Sequence, residues 1–382
     1  MTTDAYLRLS NLSRLVHREV VKLVGLSAVA VAVFLVTQAA ATYHRAQLDL
    51  DAATWYERGR AHLAAPAPAR AVDALRKAVT RRPDDWLYAS TLAEALVADG
   101  QPEAARQLLE RWRVLRPDNA EVTMRLARIE ADAGRLDEAV AHYEAALHGR
   151  WEGDAAAARL DLRRELIQRL LASGRTAAAL SHVLTLAANL PDDPVSQRQV
   201  ARLFLAARDP GRALEHFQRV LRLVPGDPAA RAGAGEAAFA MDDDARAVSF
   251  VRGLTDARSA YIFAVSSAAI AGDPWLPRLS NAERGRRLTA AVTRASQQLA
   301  ACRAKAPAAT PLADKSGAAM VEALEAFRLT LPSVRLGESP DTIDRGISLA
   351  VRALEQVAAQ CPPLDPAGEA LRRIARRHGV AG

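Results

Sequence analysis

Aromatic side chains make up only 5% of this 382-residue chain, and cysteine occurs just twice. No stretch alternates branched or aromatic residues with polar ones over a useful length, so strands are not expected. Alanine, leucine and arginine dominate instead, and these lose little side-chain freedom in a helix. The expected class is all-α. Catalytic patterns are missing too. There is no H-E-x-x-H, no paired C-x-x-C, no acidic calcium loop, no glycine-rich phosphate loop and no G-x-S-x-G elbow. The eight histidines are scattered. Nothing here points to an enzyme, and no cofactor or metal is expected.

A nucleic-acid partner is not expected either, although the formal net charge is +7. The first 45 residues carry about +3, the stretch from Ala46 to Thr255 about −1, and the remainder from Asp256 about +5. No lysine stripe interleaved with aromatics accompanies that excess. Arg372, Arg373, Arg376 and Arg377 cluster near the end and read as a solvated face or, alternatively, a lipid or nucleic-acid contact. Asp242, Asp243 and Asp244 form the one dense carboxylate run. Short acidic side chains favour turns and helix starts, and no ligands are spaced around them as a metal site would require.

What is present begins with an uncharged run from Leu23 to Ala41, long enough to cross a bilayer core as a helix. Lys22 bounds it on one side and Tyr43, His44 and Arg45 on the other. A cleaved signal peptide is the rival reading, since Ala39 and Ala41 offer a small-x-small cleavage pattern. The 22 residues before the run are long for the leading part of such a peptide. Arg8, Arg14, Arg18 and Lys22 precede the run while Arg45 alone follows closely, which predicts a cytoplasmic N-terminus (residues 1–22) and a translocated remainder. In a bacterium, which the Ala/Arg-rich usage suggests, the span would lie in the inner membrane and the rest in the periplasm.

From Trp55 the chain repeats itself about every thirty-four residues. Trp55, Gly59, Ala71, Leu75, Ala78 and Pro83 recur as Ala89, Ala93, Ala105, Leu109, Trp112 and Pro117. They recur again as Thr123, Ala127, Ala139, Tyr143, Ala146 and Trp151, the last standing in place of proline. Copies fall at about 52–85, 86–119, 120–153, 160–193, 194–227 and 228–254, with some extra residues near Asp154 to Arg159. Gly100, Gly134 and Gly174 occupy the same inter-helix turn of three copies. This pattern resembles the tetratricopeptide repeat family over about half the chain. The resemblance implies helix pairs stacked into a right-handed α-solenoid, whose first helices line a concave binding face. Trp112 and Leu186 replace small residues and imply local adjustment of packing.

Beyond Thr255 the register fades but helical pattern continues (residues 255–382). Helices are expected at Ala257–Ala271, from the Ser280/Glu283 capping box to Cys302, at about Ala313–Leu331, at Pro340–Gln360 with Ser339 as N-cap, and from Asp365 or Pro366 to His378. Arg286, Leu288, Val292, Gln297 and Cys302 match Arg345, Ile347, Val351, Gln356 and Cys361 at one constant offset, as a duplicated helical unit would. An even cysteine count in an oxidising compartment suggests a Cys302–Cys361 disulfide, and two buried free thiols are the alternative.

The positions that point into the groove in the resembled family map here onto Tyr56, Glu57 and Arg60 in the first copy. In the third to fifth copies they map onto Met124, Arg125, Arg128, Arg164, Gln168, Arg198 and Arg202. Guanidinium groups suit the carboxylates or carbonyls of an extended peptide. Alternatively these arginines pair with Glu165, Asp161 or Glu121 on neighbouring helices. The expected function is a membrane-anchored adaptor that binds a protein partner, as an assembly factor or accessory subunit of an integral membrane complex. Two alternatives stand beside it: a component of secretion or polysaccharide export, and a soluble periplasmic repeat protein released by signal cleavage. Sugar binding would call for stacking aromatics on the concave face, where Tyr56 alone qualifies.

Overall fold

The computed structural model describes residues 3–305, 315–331, 340–361 and 363–380. All regular structure among them is helical apart from one isolated bridge between Asn119 and Arg150. The chain divides into two compact units, Met1–Arg163 and Arg164–Gly382.

The N-terminal unit begins with α1, a single helix from Thr3 to Ala64. Its apolar stretch is long enough to cross a membrane, and none of it is buried against the protein. The same helix then serves as the first helix of the first repeat. No glycine or proline lies between Gly25 and Gly59, so nothing in the backbone interrupts it. Two ion pairs fasten its lower part to α2 (Pro68–Arg81) and the turn beyond: Arg81 to Asp51 at 3.3 Å and Arg82 to Asp49 at 2.7 Å. At Gly59 an added Cβ would lie 2.5 Å from Leu75 Cγ, so the small residue is what lets α1 and α2 meet.

Four further helices follow in pairs: α3 (Trp86–Ala98) with α4 (Pro102–Leu115), and α5 (Ala120–Asp132) with α6 (Leu136–His148). Asp85 and Asn119 start α3 and α5, each carboxylate or amide oxygen accepting amide N–H groups of the first turn. The recurring small and large positions are the core: Ala71, Leu75, Ala78, Ala89, Ala105, Leu109, Ala127, Ala139 and Tyr143 are all buried. Trp112 is accommodated edge-on against Trp86, ring centres 5.4 Å apart. Trp151, standing in for the helix-stopping proline, donates its indole N–H to the Ala146 carbonyl at 3.0 Å and so closes the end of α6. The extra residues after it are absorbed by α7 (Ala155–Ala172), which has 18 residues where α3 and α5 have 13. Asp154 caps it.

In the C-terminal unit the paired pattern continues through α8 (Thr176–Asn189), α9 (Pro194–Ala206), α10 (Pro210–Leu223), α11 (Pro228–Ala240) and the short α12 (Asp244–Val251). Asp193, Asp209, Asp227 and Asp243 cap α9 to α12 in turn. The turn occupied by glycine in earlier copies is left-handed here as well, at Arg208 (φ 61°) and Asp242 (φ 57°). Beyond it lie α13 (Ala257–Gly272), α14 (Asn281–Lys305), α15 (Lys315–Thr330), α16 (Pro340–Gln360) and α17 (Pro366–Arg377). Their bounds fall close to the expected helices, and the expected N-cap Ser339 lies outside the described residues, as do Ala313 and Asp314. Half of the anticipated capping box forms: Ser280 accepts the Glu283 amide, while the Glu283 carboxylate turns to Arg286 and Arg287.

The two helices with matching residues pack on each other. Leu288 and Val292 of α14 and Ile347 and Val351 of α16 are buried in one core with Leu324 of α15. Cys302 and Cys361, at the far ends of these helices, are joined as a disulfide with Cα atoms 5.9 Å apart. The arginine cluster of α17 returns to the sixth repeat. Arg373, 3% exposed, pairs with Asp244 at 2.8 Å and Asp242 at 3.1 Å and lies 3.7 Å over the Phe239 ring. Asp244 also accepts from Ser266 and from Arg377, and Asp273 takes Arg377 and His378. Asp242 and Asp244 of the acidic run thus pair with Arg373, Arg376 and Arg377, which holds α17 against α11 to α13.

Candidate functional site

In the N-terminal unit a cleft of about 470 Å³ opens between α3 and α5. Its floor is apolar because helix pairing leaves small residues there: Ala93 and Ala98 of α3 face Ile129 of α5, with Leu109 of α4 beneath. Val97, 41% exposed, stands at its edge. The rim carries both signs, with Glu94 and Asp132 alongside Arg125 and Arg128.

Arg125 is held in place. Its guanidinium donates to Glu121 at 3.0 Å, and the other oxygen of Glu121 accepts the Trp86 indole N–H at 3.0 Å. The carboxylate therefore braces the guanidinium against α3, at the rim of the cleft. An apolar floor with fixed donors and acceptors around it suits a peptide, whose side chains enter the cleft while its amides and carboxylates meet the rim.

The other anticipated residues are placed differently. Tyr56 is buried, stacked on Tyr88 with ring centres 4.7 Å apart, so its face is not offered to a ligand. Arg60 is exposed, 3.4 Å from Glu57 and 5.8 Å over the Tyr56 ring. In the C-terminal unit Gln168 and Arg202 are exposed and Arg164 is half-buried. Arg198 pairs with Asp227, the cap of α11. Burial works against the charge of that carboxylate, but the Ala230 amide and Arg198 outweigh it and hold Asp227 below the usual carboxylate range. Of the predicted row, Arg125 and Arg128 thus share one cleft. Glu94, Val97, Leu109, Ile129 and Asp132 were not anticipated as part of it. The signal for them was the helical spacing of residues 93, 94, 97 and 98 on α3 with 125, 128, 129 and 132 on α5.

Residues 90–156 and 204–261 each match a sequence model described as tetratricopeptide repeat. No curated protein matches the chain. Among solved structures, PilF of Pseudomonas aeruginosa is similar at 16% identity, with 54% of this chain and 90% of that one covered and a TM-score of 0.38. YrrB, described as a TPR protein with an unusual peptide-binding site, is 18% identical over 50% of this chain and 93% of its own, also at 0.38. PilW, described as a widely conserved type IV pilus biogenesis factor, is 14% identical over 55% and 97%, again at 0.38.

Proposed function

This chain is a tetratricopeptide-repeat protein, and on that footing we propose that it is a membrane-anchored adaptor whose repeats hold a protein partner close to the bilayer. The observation that carries the proposal is the α3/α5 cleft, apolar below and charged at the rim, built on a stack whose first helix is also the exposed apolar helix. In this reading residues 23–41 span a bacterial inner membrane, 52–254 form the repeat array and 255–382 close it. The basic flank of Arg8, Arg14, Arg18 and Lys22 keeps the N-terminus cytoplasmic, and the periplasm receives the rest. An oxidising compartment also suits the Cys302–Cys361 bridge. The partner is an extended segment of an integral membrane complex that the adaptor helps assemble or joins as an accessory subunit.

The test is purification of the full chain from its own host in mild detergent, with cross-linking and mass spectrometry. A membrane protein cross-linked to α3 and α5 is expected. Its recovery should fall at least tenfold in an Arg125→Glu, Arg128→Glu double variant, a change of about 1.4 kcal/mol. Recovery of the chain alone, or of the same partner undiminished by the double variant, would remove the proposal. The topology is checked separately by an alkaline phosphatase reporter fused at the C-terminus. Activity is expected, because this enzyme needs an oxidising compartment to form its disulfides, and a fusion that is expressed but inactive overturns the orientation.

A further inference from the structure

A second cleft, of about 350 Å³, lies wholly within the C-terminal unit, where α13, α14 and α17 meet. Three helices that meet usually fill the space between them with large side chains. Here each contributes small ones, Ala268, Ala271 and Gly272 from α13, Ala290 and Ala291 from α14, and Ala367 and Ala370 from α17. Leu371 and Ile374 complete an apolar floor. One wall carries Arg286, Arg287 and Arg294, and among the described residues no carboxylate lines the cleft.

The three guanidiniums are not equivalent. Arg287 is structural, donating to Glu283 and to the Asp273 carbonyl at 3.0 Å, which ties α14 to the end of α13. Arg286 is 70% exposed and shares that same Glu283. Arg294 lies 3.4 Å from Asp365, whose carboxylate already caps α17 and accepts from Gln298. Two carboxylates with other commitments thus face three guanidiniums of five N–H donors each, which leaves positive charge and unused donors at the mouth of an apolar cleft.

We infer that this cleft is a separate docking site for a partner polypeptide that presents an apolar side chain beside a carboxylate. The apolar side chain fills the alanine-lined floor as an anchor, and the carboxylate reaches Arg286 and Arg294. A polypeptide fits better than a free amphiphile because the cleft is open to solvent rather than enclosed. Sites for small molecules bury most of the ligand's surface, whereas a side chain projecting from a backbone needs only a socket.

The experiment uses the full chain in phosphatidylcholine nanodiscs and reads fluorescence anisotropy, with empty nanodiscs subtracted. The labelled probes are three ten-residue peptides, alternating Leu with Glu, Leu with Lys, and Ser with Glu. The Leu/Glu peptide should bind at least tenfold more tightly than either of the others. Ala290→Trp, an exposed position on the cleft lining, should weaken it at least tenfold by filling the socket. Arg286→Glu with Arg294→Glu should shift preference to the Leu/Lys peptide. Arg286→Glu alone, at a largely solvated side chain, keeps the test open if either of those variants fails to fold. In the Arg125→Glu, Arg128→Glu background, which removes the contribution of the α3/α5 cleft, the Leu/Glu preference and its loss in Ala290→Trp should persist, so failure here is distinguishable from failure at that cleft. Equal binding of the three peptides, indifference to all the α14 variants, or disappearance of the Ala290→Trp effect in the Arg125 and Arg128 background overturns the inference. So does displacement of the Leu/Glu probe by dodecanoate at lower concentration than by the unlabelled peptide.

Discussion

Arg208 and Asp242 hold the left-handed backbone that Gly100, Gly134 and Gly174 hold in earlier repeats. A side chain in that region costs about 1 kcal/mol or more. At Asp242 the strained turn is held by α17, through the ion pair to Arg373 and the Arg377 hydrogen bond to its carbonyl. Arg208 is exposed and has no such bond among those described. Arg208→Gly should therefore stabilise the chain by about 0.5–1 kcal/mol, read as a raised melting temperature, whereas Asp242→Gly should not. Asp244 is the opposite case. Removing it leaves Arg373 buried with Asp242 as its remaining carboxylate, and Asp244→Ala should cost about 3 kcal/mol in urea unfolding. Adding Arg373→Met should recover much of that loss, because the uncompensated charge is then gone. His216 titrates into the same kind of ledger. Burial first, and Arg219 second, push its imidazole below the ordinary 6.5. Its Nδ1 lies 2.7 Å from the Gln197 oxygen and its ring stacks on Phe204. The unfolded chain takes up this proton more readily than the folded one, so stability is full above pH 6.5 and declines as pH falls below it. Melting temperatures measured from pH 7.5 to 5 should show that decline, flattened in His216→Gln.

At the scale of the element, helix pairs meet through positions that admit a small side chain or none. A Cβ at Gly59 would sit 2.5 Å from Leu75, and one at Gly235 would sit 2.3 Å from Val251. Gly59→Val should destabilise the first pair by about 1–3 kcal/mol, with part of the loss relieved by Leu75→Ala, measured by thermal unfolding. These positions were legible in the sequence because each copy repeats the same local solution, a small residue opposite a large one. The helices after Thr255 were legible for the same local reasons, from capping residues and prolines. What stayed hidden depends on residues remote in the chain. Asp244 and Arg373 are 129 positions apart, and neither residue type announces its partner. Tyr56 is buried because Tyr88 of the next pair stacks on it, a neighbour that the family's groove positions do not encode. Arg125 was legible as a rim residue, but the apolar floor beside it required knowing how α3, α4 and α5 meet.

At the scale of the whole molecule, the apolar run from Leu23 to Ala41 and the first helix of the first repeat lie on one helix, α1, from Thr3 to Ala64. Between Ala41 and Asp49, where the ion pair to Arg82 begins, there are about eight residues, or about 12 Å of helix. With the apolar run set in a bilayer, the α3/α5 cleft inherits a compass bearing as well as a distance. One residue inserted after Thr42 would turn the N-terminal unit by about 100° about the helix axis and raise it by only about 1.5 Å. Seven inserted residues would raise it by about 10 Å and restore the bearing to within about 20°. Alanine insertions of one and seven residues therefore separate azimuth from height, with recovery of the cross-linked partner as the readout. Greater loss from one residue than from seven is the expected result, and equal recovery in both would show that the rod acts as a slack tether.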